Sequence, residues 1–464
     1  MTDNPTATPQ TVNDRSRLAP EQELTLFPLP AIPPAPKVHR TPVDPANPKR
    51  GARIREAERS QLEWGRIDLN AALPEDHVAR AIWAIVGKLD LSARYAEIEA
   101  RDDGAGASAV DPKILLALWI YGTSEGEGSG REIWRLTKLH AAYRWICGGI
   151  DVGYHTLTDF RSQHTQFVDD LITQVLALLM KHDLVELHRV AQDGTRVRAS
   201  AGASSFRRAH TLEALMVEAR AHLKAVTQEA LDPAISARRA AAIKRGAQDR
   251  IARIESALQQ VPEITETKKK SGAKDPTVRV STTDPDARIM KRGDGGFRPA
   301  FNIQFATTAD EARVIVGVSV SNRGSDMGES TPMLDQIEKR TGVRPKEYLI
   351  DGGYAQHDAL DKAVDSGVTP YAPVPKPRKD DTRDPHTPRE GDSEAVAAWR
   401  ARMGTEQAKE IYKERAATAE TVNADGKAHR GLDDLHVRGL DKVLGSASLF
   451  VLTYNILRAI TLGI

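Results

Sequence analysis

Cysteine is almost absent from this chain of 464 residues, and the single Cys147 excludes both an internal disulfide and a cysteine-built zinc cluster. The thirteen histidines show no zinc-ligand spacing, so no structural metal is expected. No run of about 18 consecutive apolar residues occurs, which argues against a membrane span and a membrane partner. The opening MTDNPTATPQ lacks a basic stretch followed by an apolar one, so it does not read as a secretory signal. A reducing cytoplasm is the expected compartment. Net charge is also nearly absent, at +1, and the total alone implies no polyanionic partner.

Distribution is more informative than totals. Residues 1–50 hold eleven of the 26 prolines and few periodic apolar positions, so 1–54 is expected to be a disordered, Pro-rich segment. From 55 to 182 the pattern is helical. DHVARAIWAIVGKLDL sets Val78, Ile82, Ile85, Val86 and Leu89 on one face, and Asp111-Pro112 reads as an N-cap followed by a first-turn proline. Short helices broken at Gly148–Gly149 suit either a helix-turn-helix reader of DNA or an ordinary bundle. Residues 205–275 carry fourteen Lys/Arg against nine Asp/Glu, in two helices hinged near Asp232–Pro233. Such an excess is either a solvated face or a track along phosphates.

Around that helical insertion, residues 183–464 alternate strands and helices. LVELHRVAQDGTRVRA reads as a strand turning back near its Asp-Gly. FNIQFATTAD and RVIVGVSVSN continue the strand pattern, followed by a helix over about 331–340, the strand EYLIDGGY, a helix over 355–366 and the short strand TPYAPVP. After a charged, proline-rich loop at 375–390, one long helix is expected over roughly 393–422 and is expected to end at Asp425–Gly426. The fold class is therefore α/β, a mixed sheet flanked by helices with a helical insertion, preceded by an all-α domain. Asn302 and Gln304 alternate with Phe301, Ile303 and Phe305, so they either line a site or, as the favoured expectation, lie on an edge strand with one solvated face.

Active groups in open α/β sheets gather where strands end. Asp193 and Asp351 each follow an apolar run. Two carboxylates held together repel unless protonated or bridged by a cation. Hard cations such as Mg²⁺ accept one or two carboxylates plus phosphate oxygens, and two such ions about 4 Å apart serve phosphodiester chemistry. A lone Asp-Gly, however, is a common turn dipeptide.

Over roughly 60–460 the chain resembles bacterial insertion-sequence transposases of the DDE type, in the group with a Tyr-Arg-Glu-Lys pattern in the last catalytic helix. The resemblance rests on DPKILLALWIYG, YHTLTDFRSQH, VAQDGTRVRASAG, FNIQFA, LIDGGY, IYKERAATAE and HVRGLDKV, with the IMK segment at 289–291 and the Ser325-Asp326 pair. It implies a helical DNA-binding domain (55–182) and an RNase H-like catalytic domain (183–464). It also implies Asp193, Asp351 and Glu420 as catalytic residues holding two Mg²⁺ ions, with Mn²⁺ as substitute. The third acidic residue is expected four residues after the arginine of a Tyr-x-x-Arg pair. Tyr412 and Arg415 supply that pair, Glu420 follows after four intervening residues, and Lys427 matches the lysine. In similar enzymes the tyrosine, arginine and lysine contact phosphates near the cut end. Glu414 is a rival, about 120° from Glu420 on a regular helix. The implied partners are DNA (terminal inverted repeats and target) and a second copy of the chain or more. The implied activity is cut-and-paste transposition through a hairpin intermediate. The atypical TVNADG between Glu420 and Lys427 motivates the alternative of a catalytically decayed, DNA-binding copy.

Overall fold

The computed structural model describes residues 68–98, 108–230, 236–270, 272, 274, 277–293, 295–377 and 383–464. Segment 1–54, the hinge near Asp232–Pro233 and part of the loop 375–390 lie outside the described residues. The chain divides into two units between Ile67 and Asp68, and the second holds every described residue.

Helices come first: α1 (Val78–Val86), α2 (Ser92–Ala96), α3 (Pro112–Ser124), α4 (Gly130–Leu139), α5 (Ala141–Cys147), α6 (Tyr154–Gln163) and α7 (Thr165–Lys181). The Asp111 carboxylate accepts from the Lys113 amide at 2.8 Å and Pro112 opens the helix, so α3 starts where its capping residues dictate. Gly148, at φ +56°, closes α5 in the left-handed conformation. β1 (Arg189–Arg198) begins the sheet region, followed by β2 (Phe206–Arg207), α8 (Ala209–Glu229), α9 (Ala237–Lys270), β3 (Val280–Ser281), β4 (Arg288–Lys291), β5 (Phe297–Thr308) and β6 (Ile315–Ser321). Then come α10 (Ser330–Thr341), β7 (Glu347–Leu349), α11 (His357–Asp365), β8 (Thr369–Tyr371), α12 (Glu394–Met403), α13 (Glu406–Arg415), α14 (Thr421–His429) and α15 (Leu440–Thr461).

Among the described residues the main sheet has six strands and is mixed. β1 lies between β5, antiparallel to it, and β7, parallel to it; β8 continues the parallel side, while β4 and β6 pair with the far edge of β5. Phe301, Ile303 and Phe305 project towards α15, where the rings of Phe305 and Phe450 meet edge-on at 5.3 Å. Burying each such phenylalanine contributes about 1.5–3 kcal/mol. On the other face, a Cβ at Gly317 would collide with Met333 of α10, so glycine there permits the helix to close on the strand. α15 is apolar and long enough to cross a membrane by length and composition, but 67% of that stretch is buried in protein, packed against α3, α7 and β6. One continuous hydrophobic core joins the N-terminal helices to the sheet. The α8–α9 pair has its own small core, built on Leu212, Met216, Ile254 and Val280.

The structure corrects several sequence expectations. β1 runs unbroken through Asp193-Gly194, registered residue by residue against β5 from Val190 to Arg198, so this Asp-Gly is no turn. β5 is an interior strand, and Asn302 and Gln304 are fully buried rather than solvated on an edge. The expected helix over 393–422 is instead α12, α13, a π turn (Ala416–Glu420) and α14. Nor does the helix end at Asp425–Gly426. α14 continues to His429, and Gly426 within it lies so close to Leu432 and the Phe450 ring that a Cβ would come within about 3 Å of both.

Candidate active site

β1 carries Asp193 to the face covered by the π turn and α14. There its carboxylate accepts from the Asn423 side-chain amide at 2.9 Å and lies 3.4 Å from the Arg415 guanidinium. The same guanidinium reaches Glu420 at 3.5 Å, so Arg415 sits between two of the carboxylates expected at the site. Asp193 is mostly buried, whereas Glu420 remains 59% exposed. Asp351 is exposed just past the end of β7, and its own carboxylate accepts from the Gly352 amide at 2.7 Å to start a 3₁₀ turn.

The electrostatics tie these groups together. Burial pushes the Asp193 carboxyl above its usual range, Arg415 opposes that, and Asp326 and Asp351 raise it further. Burial acts to lower the Arg415 guanidinium, but Tyr412, Asp193 and Asp351 outweigh it and hold it up. Tyr412 lies under Arg415, with 5.8 Å between guanidinium and ring. Burial pulls the Lys427 ammonium down; Asp433 opposes this, Arg292 and Arg196 reinforce it, and Asp193 again opposes. Glu414 takes another course and pairs with Arg189 at 2.6 Å, at the first residue of β1, four positions before Asp193.

Glu420 stands five positions beyond Arg415, one more than the spacing expected from the resemblance. On a regular α-helix the fifth position lies about 140° from the arginine and the fourth about 40°. The π turn between them takes up the additional residue, which returns Glu420 to the Arg415 side.

Sequence reasoning missed the polar layer beneath the site. Asp326, in the loop before α10, accepts from Asn302 at 2.7 Å, Gln304 at 2.8 Å and Arg196 at 3.2 Å. Gln304 in turn accepts from Gln192 at 3.0 Å and from the Tyr354 hydroxyl, and Tyr348 donates to Gln192. This buried network joins the residue beside Asp193 to the loop that follows Asp351. Gly194 permits it, since a Cβ there would sit 3.0 Å from Asn302 Oδ1 and closer still to Gln304 and Asp326. The signals available in sequence were the Ser325-Asp326 pair and the Asn/Gln alternation. Asn423 carried none. We expect Gly194→Ala to cost about 1–3 kcal/mol through overpacking, read as a lower midpoint in chemical denaturation with an unchanged slope.

Among the described residues no three His, Cys, Asp or Glu side chains lie close enough to hold a metal as a group. The chemistry of the donors nevertheless suits a hard cation. Asn423 Oδ1, an oxygen acceptor beside the Asp193 carboxylate, is buried without a hydrogen-bond partner among the described residues.

Two family models match the chain. A model described as Transposase domain (DUF772) covers 67–163, the helices from α1 to α6, and one described as Transposase DDE domain covers 377–460, from the loop after β8 into α15. The second match includes Tyr412, Arg415, Glu420 and Lys427; Asp193 and Asp351 lie outside both. No curated protein and no solved structure matches the chain. Transposase models thus match at both ends of its fold, and together they support an insertion-sequence DDE transposase.

Proposed function

We propose that this transposase binds the terminal inverted repeats of its own element and performs Mg²⁺-dependent phosphodiester cleavage and strand transfer, moving the element by cut and paste. The observation that carries this reading is the meeting of Asp193 with Arg415 and Asn423, in the electrostatic field of Asp351. The sheet order β6–β5–β1–β7–β8, with its antiparallel and parallel halves joined at β1, supports an RNase H-like catalytic domain over 183–464 behind a helical domain over 55–182. Asp193, Asp351 and Glu420 would hold two Mg²⁺ ions, for which Mn²⁺ substitutes. When bound, the ions supply activation of the attacking hydroxyl and stabilisation of the leaving oxygen.

The chain's own groups then have separate tasks. Asn423 orients the Asp193 carboxylate through its amide donor. Arg415, a rigid fork already poised between two carboxylates, is placed to transfer its donors to a phosphate, while Tyr412 shields the ion pair from water. Lys427, deprived of solvent, is an ammonium whose charge is best satisfied by a phosphate. These assignments correspond to the pattern of the Tyr-Arg-Glu-Lys group. Two copies or more would act together on the two ends.

The basic insertion is the second DNA contact. The first turns of α9 expose Arg238, Arg239, Lys244 and Arg245, and none of these side chains has an ion-pair partner among the described residues. We expect Arg238→Ala with Arg245→Ala to weaken binding to all duplex sequences alike and to reduce the slope of log affinity against log salt by about two.

A DNA-binding copy without catalysis is the second reading, favoured by the absence of a three-carboxylate cluster among the described residues. Incubating the full chain with duplexes carrying the element's ends, with and without Mg²⁺, separates the two. Cleaved and joined products establish the enzyme, and bound but uncut ends establish the decayed form.

A further inference from the structure

We propose that the outward face of α6, formed by His155, Thr156, Asp159 and Gln163, reads base sequence in the major groove of duplex DNA. The proposal rests on the DNA-binding reading above and assigns its specificity to one helix. Those four positions fall within an arc of about 100° on a helix, and all four side chains are exposed. Among the described residues none of them makes a side-chain hydrogen bond or ion pair. The face therefore offers free donors and acceptors and contains no lysine or glutamate. This is the chemistry that recognises base edges: Gln pairs with adenine, Asp accepts from the cytosine amino group, and Thr contacts the thymine methyl.

The opposite face of α6 is fixed firmly. Leu157 and Phe160 are buried, and the Trp119 indole donates to the Leu157 carbonyl at 2.9 Å. The Arg161 guanidinium, also buried, lies 4.5 Å from the Trp119 ring centroid and donates to the Gly128 carbonyl. A reading helix needs this rigidity, because base contacts fail when the helix shifts within the groove.

Its surroundings match the duplex as occupant. α4 packs beside α5 and α6, and its exposed Arg131 lies over the Tyr154 ring at 5.2 Å without an acidic partner among the described residues. Arg131 is thus placed to hold a phosphate at the start of α6, whose Gly153 N-cap brings no side-chain oxygen to the first-turn amides. A major groove about 12 Å wide admits one helix.

The test selects bound molecules from a pool of duplexes with a randomised core, using the full chain and the variants Thr156→Ala, Asp159→Ala, Gln163→Ala and Arg131→Ala. Wild type is expected to enrich one motif. Each of the three α6 variants should lose discrimination at one or two positions by about 10- to 100-fold while melting like wild type. Arg131→Ala should weaken every sequence equally and lower the salt slope by about one. Enrichment of an unchanged motif by all three α6 variants overturns the assignment of α6 but leaves DNA binding standing. Binding without any enriched motif overturns the assignment as well. A wild-type chain that retains no duplex overturns the DNA-binding reading and this inference with it.

Discussion

Asp193→Asn and Asp351→Asn should each lower Mg²⁺-dependent cleavage of the element's ends by at least about a thousandfold. Metal-assisted charge stabilisation supplies several kcal/mol of barrier lowering, and about 4 kcal/mol corresponds to three powers of ten. An amide cannot replace the negative oxygen that Asp193 presents beside Asn423 and Arg415. Binding to the same duplex should survive, since neither aspartate belongs to the helical domain or the basic insertion. Nor should the fold suffer. Burial raises the Asp193 carboxyl. The fold therefore favours its neutral form, whose stabilising share is complete below the unfolded value and is lost as pH rises through the folded one. Asparagine relieves the cost of burying a charge but gives up the pair with Arg415, so the two effects oppose and the variant should melt close to wild type. Gel retardation, melting and cleavage measured together decide the matter. Full cleavage by either variant sinks the assignment.

Asp193 and Asp351 could be singled out in sequence because each follows an apolar run, and a strand's apolar period is a local property. What surrounds Asp193 was not legible, because its causes are distant in sequence. Asp-Gly is a turn signal by local preference, yet Gly194 is there for the close approach of Asp326 and Gln304, more than a hundred residues away. Asn302 and Gln304 read as a solvated edge because alternation gives the face and not the strand's place in the sheet. Once β1 and β6 flank β5, that polar face must satisfy its amides internally, and Asp326, Gln192 and Tyr354 do so for all but the Asn302 Oδ1. Asp425–Gly426 shows the same conflict from the other side. A local stop signal is overridden where α14 passes so close to Phe450 and Leu432 that a Cβ at Gly426 would press on both.

The register of Glu420 leads to the second large effect. If the π turn absorbs one residue, deleting Ala417 should convert it to regular α-helix and leave Glu420, Asn423 and Lys427 on the same side. Cleavage should then stay within about tenfold of wild type, a barrier change of no more than about 1.4 kcal/mol. Inserting one alanine after Ala417 has the opposite geometry. It turns Glu420 by about 100° away from Arg415 and Asp193. That variant should lose cleavage as completely as Glu420→Gln, by about a thousandfold, if the carboxylate is the third metal-holding group. Circular dichroism and melting of the three proteins separate misplacement from unfolding, and Glu420→Gln leaves the helix length untouched. Equal loss in the deletion and the insertion, with both proteins folded, would mean that the additional residue does not set the register. Full activity in Glu420→Gln would instead transfer the third carboxylate's task to another residue. Glu414 is poorly placed to take it, since its pair with Arg189 holds it at the start of β1, four residues before Asp193.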